Sequence, residues 1–121
     1  RLVAIESRGF IFGAPLALKL GIGMAMVRKR GKLPGSVVGH AYTLEYGNDT
    51  IEVSADLIAA GSRVVIVDDL IATGGTAAAT VELMRKIGTE VAAATFLIEL
   101  SGLEGRKKLD IPVETVLTFE G

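Results

Sequence analysis

The chain of 121 residues has no cysteine and a single histidine, His40. Without cysteine, disulfide bonds, thiolate catalysis and cysteine-ligated zinc sites are excluded, which is typical of a cytosolic enzyme. A lone histidine can form neither a catalytic triad nor a histidine metal cluster here, so we expect His40 to have a supporting structural role. The chemistry is expected to depend on other side chains and on the backbone.

Neither sign of charge is in excess, since 13 basic side chains stand against 14 acidic ones. The net charge of -1 creates no general attraction to nucleic acid or to an anionic membrane, and neither is expected as a partner. No apolar run is long enough to span a bilayer, and no signal-peptide pattern is present. With 50% hydrophobic residues, the chain is predicted to form one domain, residues 1–121, with a substantial core.

Two well-known phosphate-binding motifs are also missing. The pattern G-x-x-x-x-G-K-[ST] does not occur, and Gly21-Ile22-Gly23 lacks the third glycine of a dinucleotide-binding fingerprint. The sequence therefore argues against both of those nucleotide-binding classes.

The most informative segment present begins with an apolar, β-branched run at residues 64–67. Such a run is typical of a parallel strand that is buried on both faces. Asp68 and Asp69 follow it directly, and the carboxyl ends of strands form the ligand-binding edge of open α/β sheets. A loop of small residues then opens a helix: Ala72, Thr73, Gly74, Gly75 and Thr76.

This combination of groups predicts a site for a ribose 5-phosphate. The backbone N–H groups of the loop and the helix N-terminus can surround a phosphate. The two adjacent carboxylates, Asp68 and Asp69, can accept hydrogen bonds from neighbouring ribose hydroxyls. The alternative interpretation is that the carboxylates bind a metal, while residues 72–76 only form a turn that caps a helix.

Strand and helix patterns alternate along the chain, which predicts an α/β fold with a mainly parallel sheet flanked by helices. The predicted strands are residues 2–5, 24–28, 64–67, 91–98 and 113–119. The predicted helices are residues 11–20, 75–87 and 103–109.

A different pattern occupies the middle of the chain. Residues 40–46 alternate in polarity, Gly47-Asn48-Asp49 is turn-forming, and alternation resumes at residues 51–53. This predicts an antiparallel hairpin outside the main sheet, within a mobile flap at about residues 29–55.

Two further segments carry charge that a phosphorylated ligand could use. Glu6-Ser7-Arg8-Gly9 forms a second strand-to-helix turn, where backbone N–H groups and the Arg8 guanidinium can bind pyrophosphate. By itself the segment is better explained as a tight turn with a solvated arginine, but beside the site at residues 68–76 we favour pyrophosphate binding. Arg28-Lys29-Arg30-Gly31-Lys32 places four positive charges in five residues. It lacks the interleaved aromatic residues of a nucleic-acid patch, and a solvated loop is its simplest alternative explanation.

The chain resembles the type I phosphoribosyltransferases, which use 5-phosphoribosyl pyrophosphate (PRPP). Within that family it is most similar to the enzymes that act on adenine. Four segments carry the resemblance in the same order and spacing, and together they extend it over essentially the whole chain. They are Glu6-Ser7-Arg8-Gly9-Phe10, residues 28–35, Leu44-Glu45-Tyr46-Gly47, and Asp68-Asp69-Leu70-Ile71-Ala72-Thr73-Gly74-Gly75-Thr76.

The resemblance implies that adenine and PRPP give AMP and pyrophosphate, with Mg²⁺ carried by the substrate phosphates rather than by protein ligands. It also implies a homodimer. The residues implied to bind pyrophosphate are Ser7, Arg8, Arg28, Lys29, Lys32 and Tyr46. Arg8 and Lys29 would act on the leaving group, Glu45 on the flap would assist proton transfer from the purine, and Ile71 and Leu100 would contact the base.

The first residue is an arginine, and residues 2–5 already form a buried strand pattern, so we expect the sequence to begin inside a longer protein. Enzymes that this chain resembles carry an upstream segment that closes over the purine, and part of the base pocket is therefore expected to be missing. Two rival functions stay open: a phosphoribosyltransferase for another base, such as xanthine or orotate, and a PRPP-binding regulator without turnover. A third alternative, a receiver-like doubly wound domain with an acidic metal pocket, leaves the loop at residues 72–76 unexplained.

Overall fold

The computed structural model describes residues 1–44 and 47–120. In this part of the chain, seven strands and two α-helices follow one another in the order β1, α1, β2, β3, β4, β5, α2, β6, β7. Their bounds are β1 Leu2–Ile5, α1 Arg8–Leu20, β2 Met24–Lys29, β3 Val37–Leu44, β4 Gly47–Ser54, β5 Arg63–Ile71, α2 Gly75–Lys86, β6 Glu90–Leu100 and β7 Val113–Phe119. Two short 3-10 turns, Ser101–Leu103 and Gly105–Lys108, lie between β6 and β7.

The strands form one sheet in the order β3-β4-β2-β1-β5-β6-β7. The five strands from β2 to β7 in this order are parallel to their neighbours, whereas β4 pairs antiparallel with both β2 and β3. The predicted α/β fold with a mainly parallel sheet is therefore confirmed.

Helices cover the two faces of this sheet because its central strands are apolar on both sides. All four residues of β1 are buried. Val3 and Ile66 pack with Leu83 of α2 in the larger part of the core, whereas Leu2 and Val67 pack with Ala17 of α1 on the opposite face. The sheet thus presents the carboxyl ends of its parallel strands at one edge, between the beginnings of the two helices.

Helix α1 ends where the sequence indicated, but it begins three residues earlier than predicted. Gly21 adopts the left-handed conformation at φ 67°, and its N–H bonds the carbonyl of Leu18. At the other end, Arg8 and Gly9 already belong to the helix. A Cβ atom at Gly9 would approach the carbonyl oxygen of Val67 to 3.0 Å, so glycine here permits close packing of the helix on β5 rather than a turn.

The hairpin prediction was correct in type but wrong in two details. Gly47-Asn48-Asp49 is not a turn, since these residues belong to β4 and pair with Leu44, Thr43 and Tyr42 of β3. The hairpin does not lie outside the main sheet either, because β4 pairs with the end of β2 through Arg28 opposite Glu52 and Lys29 opposite Ile51.

The helix predicted at residues 103–109 is replaced by the two 3-10 turns. Glu104 lies between them in the left-handed conformation, at φ 54°, which interrupts a continuous helix. Among the described residues, no helix is long and apolar enough to cross a membrane.

Candidate active site

A cavity of about 370 Å³ opens at the carboxyl edge of the sheet. Three parts of the chain line it: the turn between β1 and α1, the last residue of β2, and the end of β5 with the loop that follows. The lining residues are Ile5, Glu6, Ser7, Arg8, Lys29, Asp68, Asp69, Leu70, Ile71, Ala72, Thr73, Gly74, Gly75, Thr76 and Ala77. The cavity therefore brings together segments that are far apart in the sequence.

The two carboxylates of the acidic pair lie within β5, which continues to Ile71, rather than after its end. Asp69 forms an ion pair with Arg8, with 2.8 Å between Oδ2 and Nε. The Oδ1 atom of Asp68 accepts a hydrogen bond of 2.8 Å from the backbone N–H of Asp69. Arg8 and the acidic pair thus form one cluster at the carboxyl ends of the neighbouring strands β1 and β5.

Burial raises the pKa of Asp68 to about 7, and the adjacent Asp69 carboxylate contributes to this shift. The backbone N–H of Asp69 and the charge of Arg8 act in the opposite direction but do not cancel it. Asp68 therefore titrates near neutral pH. It can donate one hydrogen bond when protonated, and it is acceptor-only when ionised.

The loop between β5 and α2 presents backbone groups to the cavity. Gly74 is the N-cap of α2 in the left-handed conformation, at φ 84°, and its carbonyl accepts the first helical hydrogen bond from Ala78. The N–H groups of the first helical turn, which includes Gly75 and Thr76, have no partner within a helix and carry the positive end of its dipole. This geometry suits an anion such as a phosphate.

The end of β2 supplies a cation to the cavity, Lys29, which the hairpin holds in place. Its Nζ atom donates hydrogen bonds to the carboxylate of Asp49 and, at 2.9 Å, to the hydroxyl of Tyr42. The Tyr42 hydroxyl also lies 3.3 Å from Oγ1 of Thr76 in the loop. Burial alone would lower the pKa of Lys29, but its hydrogen bonds to Asp49 and Tyr42 outweigh burial and raise it, so this cation stays charged.

Glu6 fixes the end of β2 beside this cation. One of its carboxylate oxygens accepts a bond of 2.9 Å from the backbone N–H of Lys29 and another of 3.2 Å from Nε of Arg28. Arg28 is thereby turned toward Glu6, and it does not line the cavity.

Most residues that the sequence singled out lie around the cavity, but several do not. Lys32 is exposed in the loop after β2, and Leu100 pairs with Phe119 at the end of β6; neither lines the cavity. Ile71 lines it, although its side chain is only 2% exposed and packs in the core. Glu45 and Tyr46 lie outside the described residues.

Three contributors had no assigned role in the sequence analysis: Glu6, Tyr42 and Asp49. Glu6 stood in a recognised segment, yet nothing local indicates that it accepts bonds from β2. Tyr42 and Asp49 lie directly opposite each other across the hairpin. Their pairing could have been read from the alternation only if the strand register had been placed correctly.

The match to a protein family covers nearly the whole chain: the family described as phosphoribosyl transferase domain matches residues 1–120. Among curated relatives, an adenine phosphoribosyltransferase of Acidiphilium cryptum is 60% identical over 119 residues, which are 98% of this chain and 70% of that protein. One of Rhodospirillum centenum is 57% identical with the same coverage.

Solved structures show the same similarity. An adenine phosphoribosyltransferase from Rhodothermus marinus has a TM-score of 0.94 at 55% identity, over 98% of this chain and 68% of that one. The Saccharomyces cerevisiae enzyme, solved with an imino-altritol bisphosphate and adenine, has a TM-score of 0.92 at 50% identity, over 95% of this chain and 65% of that one.

Proposed function

The chain belongs to the phosphoribosyl transferase domain family, and on that premise we propose that it transfers the 5-phosphoribosyl group of PRPP to adenine, giving AMP and pyrophosphate. One observation carries this proposal. A single cavity combines the loop at the N-terminus of α2, the carboxylates of Asp68 and Asp69, and the ammonium group of Lys29, which Asp49 holds in place. The choice of adenine rests on the relatives, which are named as adenine phosphoribosyltransferases and include a structure with adenine bound.

The loop Ala72, Thr73, Gly74, Gly75 and Thr76 is assigned to the 5-phosphate of PRPP. Its backbone N–H groups and two hydroxyls can donate to phosphate oxygens, and the dipole of α2 favours a negative charge at this point. Because these donors are already positioned by the fold, little reorganisation is needed when the ligand binds.

Asp68 and Asp69 are assigned to the ribose hydroxyls. In its ionised form each carboxylate accepts hydrogen bonds from a diol. The ion pair between Asp69 and Arg8 leaves the second oxygen of that carboxylate for such a contact, and Arg8 would then lie next to the sugar. Arg8 can then contact the pyrophosphate as it leaves.

The pyrophosphate site is assigned to Ser7, Arg8, Arg28, Lys29, Lys32 and Tyr46. Arg8 and Lys29 are the cations that line the cavity, and they would stabilise the negative charge that develops on the leaving group. Lys29 must exchange Asp49 for pyrophosphate to do so, whereas Arg28 would have to leave Glu6.

Magnesium is assigned to the substrate rather than to the protein. Among residues 1–44 and 47–120 there is no cluster of three potential metal-ligating side chains. The cavity does contain the carboxylates Asp68 and Asp69, which suit Mg²⁺ when phosphates and waters supply the other ligands. An Mg²⁺ ion held in this way would neutralise phosphate charge in the transition state.

Glu45 is proposed to accept the proton that adenine loses as its N9 bonds the sugar, and Ile71 and Leu100 are proposed to contact the base. We further propose a single domain over residues 1–121, with residues 29–55 as a flap that closes over PRPP. A homodimeric, cytoplasmic enzyme completes the proposal.

The test is AMP and pyrophosphate formation from PRPP and Mg²⁺ with adenine, run beside hypoxanthine, guanine, xanthine and orotate. Turnover with adenine alone would support the proposal. Preference for another base would keep the PRPP site and overturn the choice of adenine. If no base is used while PRPP still binds, repeating the assay with the expected upstream segment present would separate a PRPP-binding regulator from an enzyme with an incomplete base pocket.

A further inference from the structure

We propose that Glu99, Gly105 and Arg106 form a brace that positions the 5-phosphate loop from behind. None of the three lines the cavity. The inference rests on the proposed function, since it concerns the loop assigned to the 5-phosphate. It adds positioning residues to that site, and they act only through the loop backbone.

The brace touches the loop through a backbone-to-backbone contact. A Cβ atom at Gly74 would overlap the carbonyl oxygen of Gly105 and lie 3.0 Å from its Cα. In return, a Cβ atom at Gly105 would overlap the carbonyl oxygen of Ala72 and lie 2.9 Å from the nitrogen of Gly74. Two glycines thus let the main chain of Gly105, the first residue of the second 3-10 turn, pack directly against the loop.

Residue 105 must be glycine because there is no room for a Cβ atom beside the loop, and not because its backbone dihedral angles require glycine. Gly74 has φ 84°, a region that other residues rarely adopt, whereas Gly105 is not among the glycines with positive φ. A substitution at Gly105 therefore tests the contact itself, without an added penalty from backbone conformation.

An ion pair between the buried carboxylate of Glu99 and the half-exposed side chain of Arg106 holds Gly105 in this position, because Arg106 is its neighbour in the chain. The guanidinium donates to both carboxylate oxygens of Glu99, at 2.9 and 2.7 Å, and Glu99 is only 6% exposed. Thr115 lies 3.4 Å from the same carboxylate, and Arg106 also reaches the carbonyl of Val113 at 3.4 Å. The brace is therefore tied to β6 and β7 at once.

Glu99 and Arg106 each favour the charged form of the other, which keeps their two hydrogen bonds in place. The hydrogen bond from Arg106 lowers the pKa of Glu99, and the hydrogen bond to Glu99 raises the pKa of Arg106. A bidentate arginine–carboxylate pair adds geometric specificity. Because the Arg106 side chain is 47% exposed, solvent screens the pair and its net contribution to stability is small, so position is the more informative explanation for it.

The site of attachment explains why the brace affects the phosphate end of the cavity. Glu99 pairs with Ile71 in the register of β5 and β6, and Ala72 is the next residue of the loop. The loop is therefore held at two points. The pairing of β5 with β6 fixes its first residue, and Gly105 packs against its main chain on the side that faces away from the cavity. A phosphate site made of backbone N–H groups requires placement to within about 0.5 Å.

The first test is Gly105→Ala, with Gly23→Ala as the matched control. A Cβ atom at Gly23 meets only the flexible end of the Arg1 side chain, at 3.3 Å, at the opposite end of the sheet. Calorimetry would give dissociation constants for ribose 5-phosphate and for pyrophosphate. We expect Gly105→Ala to weaken ribose 5-phosphate about tenfold or more, by analogy with the loss from small misplacements. Pyrophosphate should change less than twofold, and the control should change neither.

The second test is Glu99→Gln, whose amide cannot accept both arginine bonds and which removes the charged partner of Arg106. Its control is Glu90→Gln, which removes the exposed ion pair with Arg63 at the far end of the sheet. We expect about a threefold to tenfold rise in the PRPP KM with kcat nearly unchanged. The double variant Glu99→Gln/Arg106→Gln should show no further rise, since both changes remove the same ion pair. A general loss of folding would instead reduce kcat and the fraction of active protein together.

The two proposals fail in distinguishable ways. If the parent protein binds ribose 5-phosphate but folded Gly105→Ala and Glu99→Gln bind it equally well, the brace is overturned and the proposed function stands. Equal weakening of ribose 5-phosphate and pyrophosphate would also overturn it. If the parent protein binds no ribose 5-phosphate, both proposals are overturned.

Discussion

The two walls of the cavity are built on different physical principles. On one side, the loop at residues 72–76 offers backbone N–H groups held by backbone packing against Gly105. On the other side, Lys29 is held by the opposite charge of Asp49 and by the hydroxyl of Tyr42. The loop is ready for an anion as it stands, whereas the cation must exchange partners. The comparison indicates that the 5-phosphate end is preorganised and that the pyrophosphate end is formed when the ligand binds.

Gly74→Ala should give the largest effect, because it breaks the preorganised wall. The new Cβ atom overlaps the carbonyl of Gly105, and the position has φ 84°. A left-handed residue costs about 1–2 kcal/mol, and a 1 Å misplacement of the loop can cost ~100-fold in rate. We therefore expect kcat/KM for PRPP to fall about 100-fold, with a lower thermal unfolding temperature. Steady-state kinetics that match those of Gly23→Ala would contradict a preorganised loop.

Asp69→Asn should have the next largest effect, because Asp69 is assigned to the ribose, between the 5-phosphate loop and the cations that bind pyrophosphate. The change removes a charged acceptor for the ribose hydroxyls and the partner of Arg8, while its own packing is little altered. A hydrogen bond to a charged group contributes about 1.5–3 kcal/mol, so kcat/KM for PRPP should fall about tenfold to 100-fold. Circular dichroism and thermal unfolding would verify the fold. Unchanged kinetics would remove the ribose assignment.

Asp49→Asn should have a smaller effect of the opposite sign, because it releases Lys29 from the charge that occupies it. Without that competitor, pyrophosphate should bind about threefold to tenfold more tightly, while ribose 5-phosphate binding stays the same. Competition assays with pyrophosphate and with ribose 5-phosphate measure the two ends separately. Weaker pyrophosphate binding would show that Asp49 positions Lys29 for the ligand instead of competing with it.

The same contrast explains what could be predicted from the sequence. The strands and the loop at residues 72–76 were predictable because each is recorded locally, as an apolar run, an acidic pair or a cluster of small residues. Helix α1 was predicted to start too late because Gly9 resembles a turn residue, while in the fold it permits close packing on β5. Local sequence signals therefore suffice to predict strands and loops. They do not show whether a glycine is needed for a turn or for close packing.

The rest depended on contacts between segments that are distant in the sequence. The ion pair of Lys29 with Asp49 requires the register of the hairpin, and the approach of Gly105 to Gly74 requires the path of the chain after β6. The helix predicted over residues 103–109 obscured that path. Neither contact has a composition or spacing signature of its own, which is why both were missed.

The last prediction concerns stability rather than ligand binding, at Asp68, whose pKa is raised by burial to about 7. Between about pH 4 and pH 7 the folded protein keeps a proton that the unfolded chain has released, so folding stability from this group is complete below the unfolded pKa and is lost as pH rises through 7. Asp68→Asn removes this dependence. Thermal unfolding at pH 5, 6.5 and 8 should therefore show the variant gaining stability relative to the parent protein as pH rises, while Glu90→Gln shows no such trend. Parallel curves for Asp68→Asn and the parent protein would mean that Asp68 is ionised throughout, and the acidic pair would then be a permanently charged acceptor for the ribose.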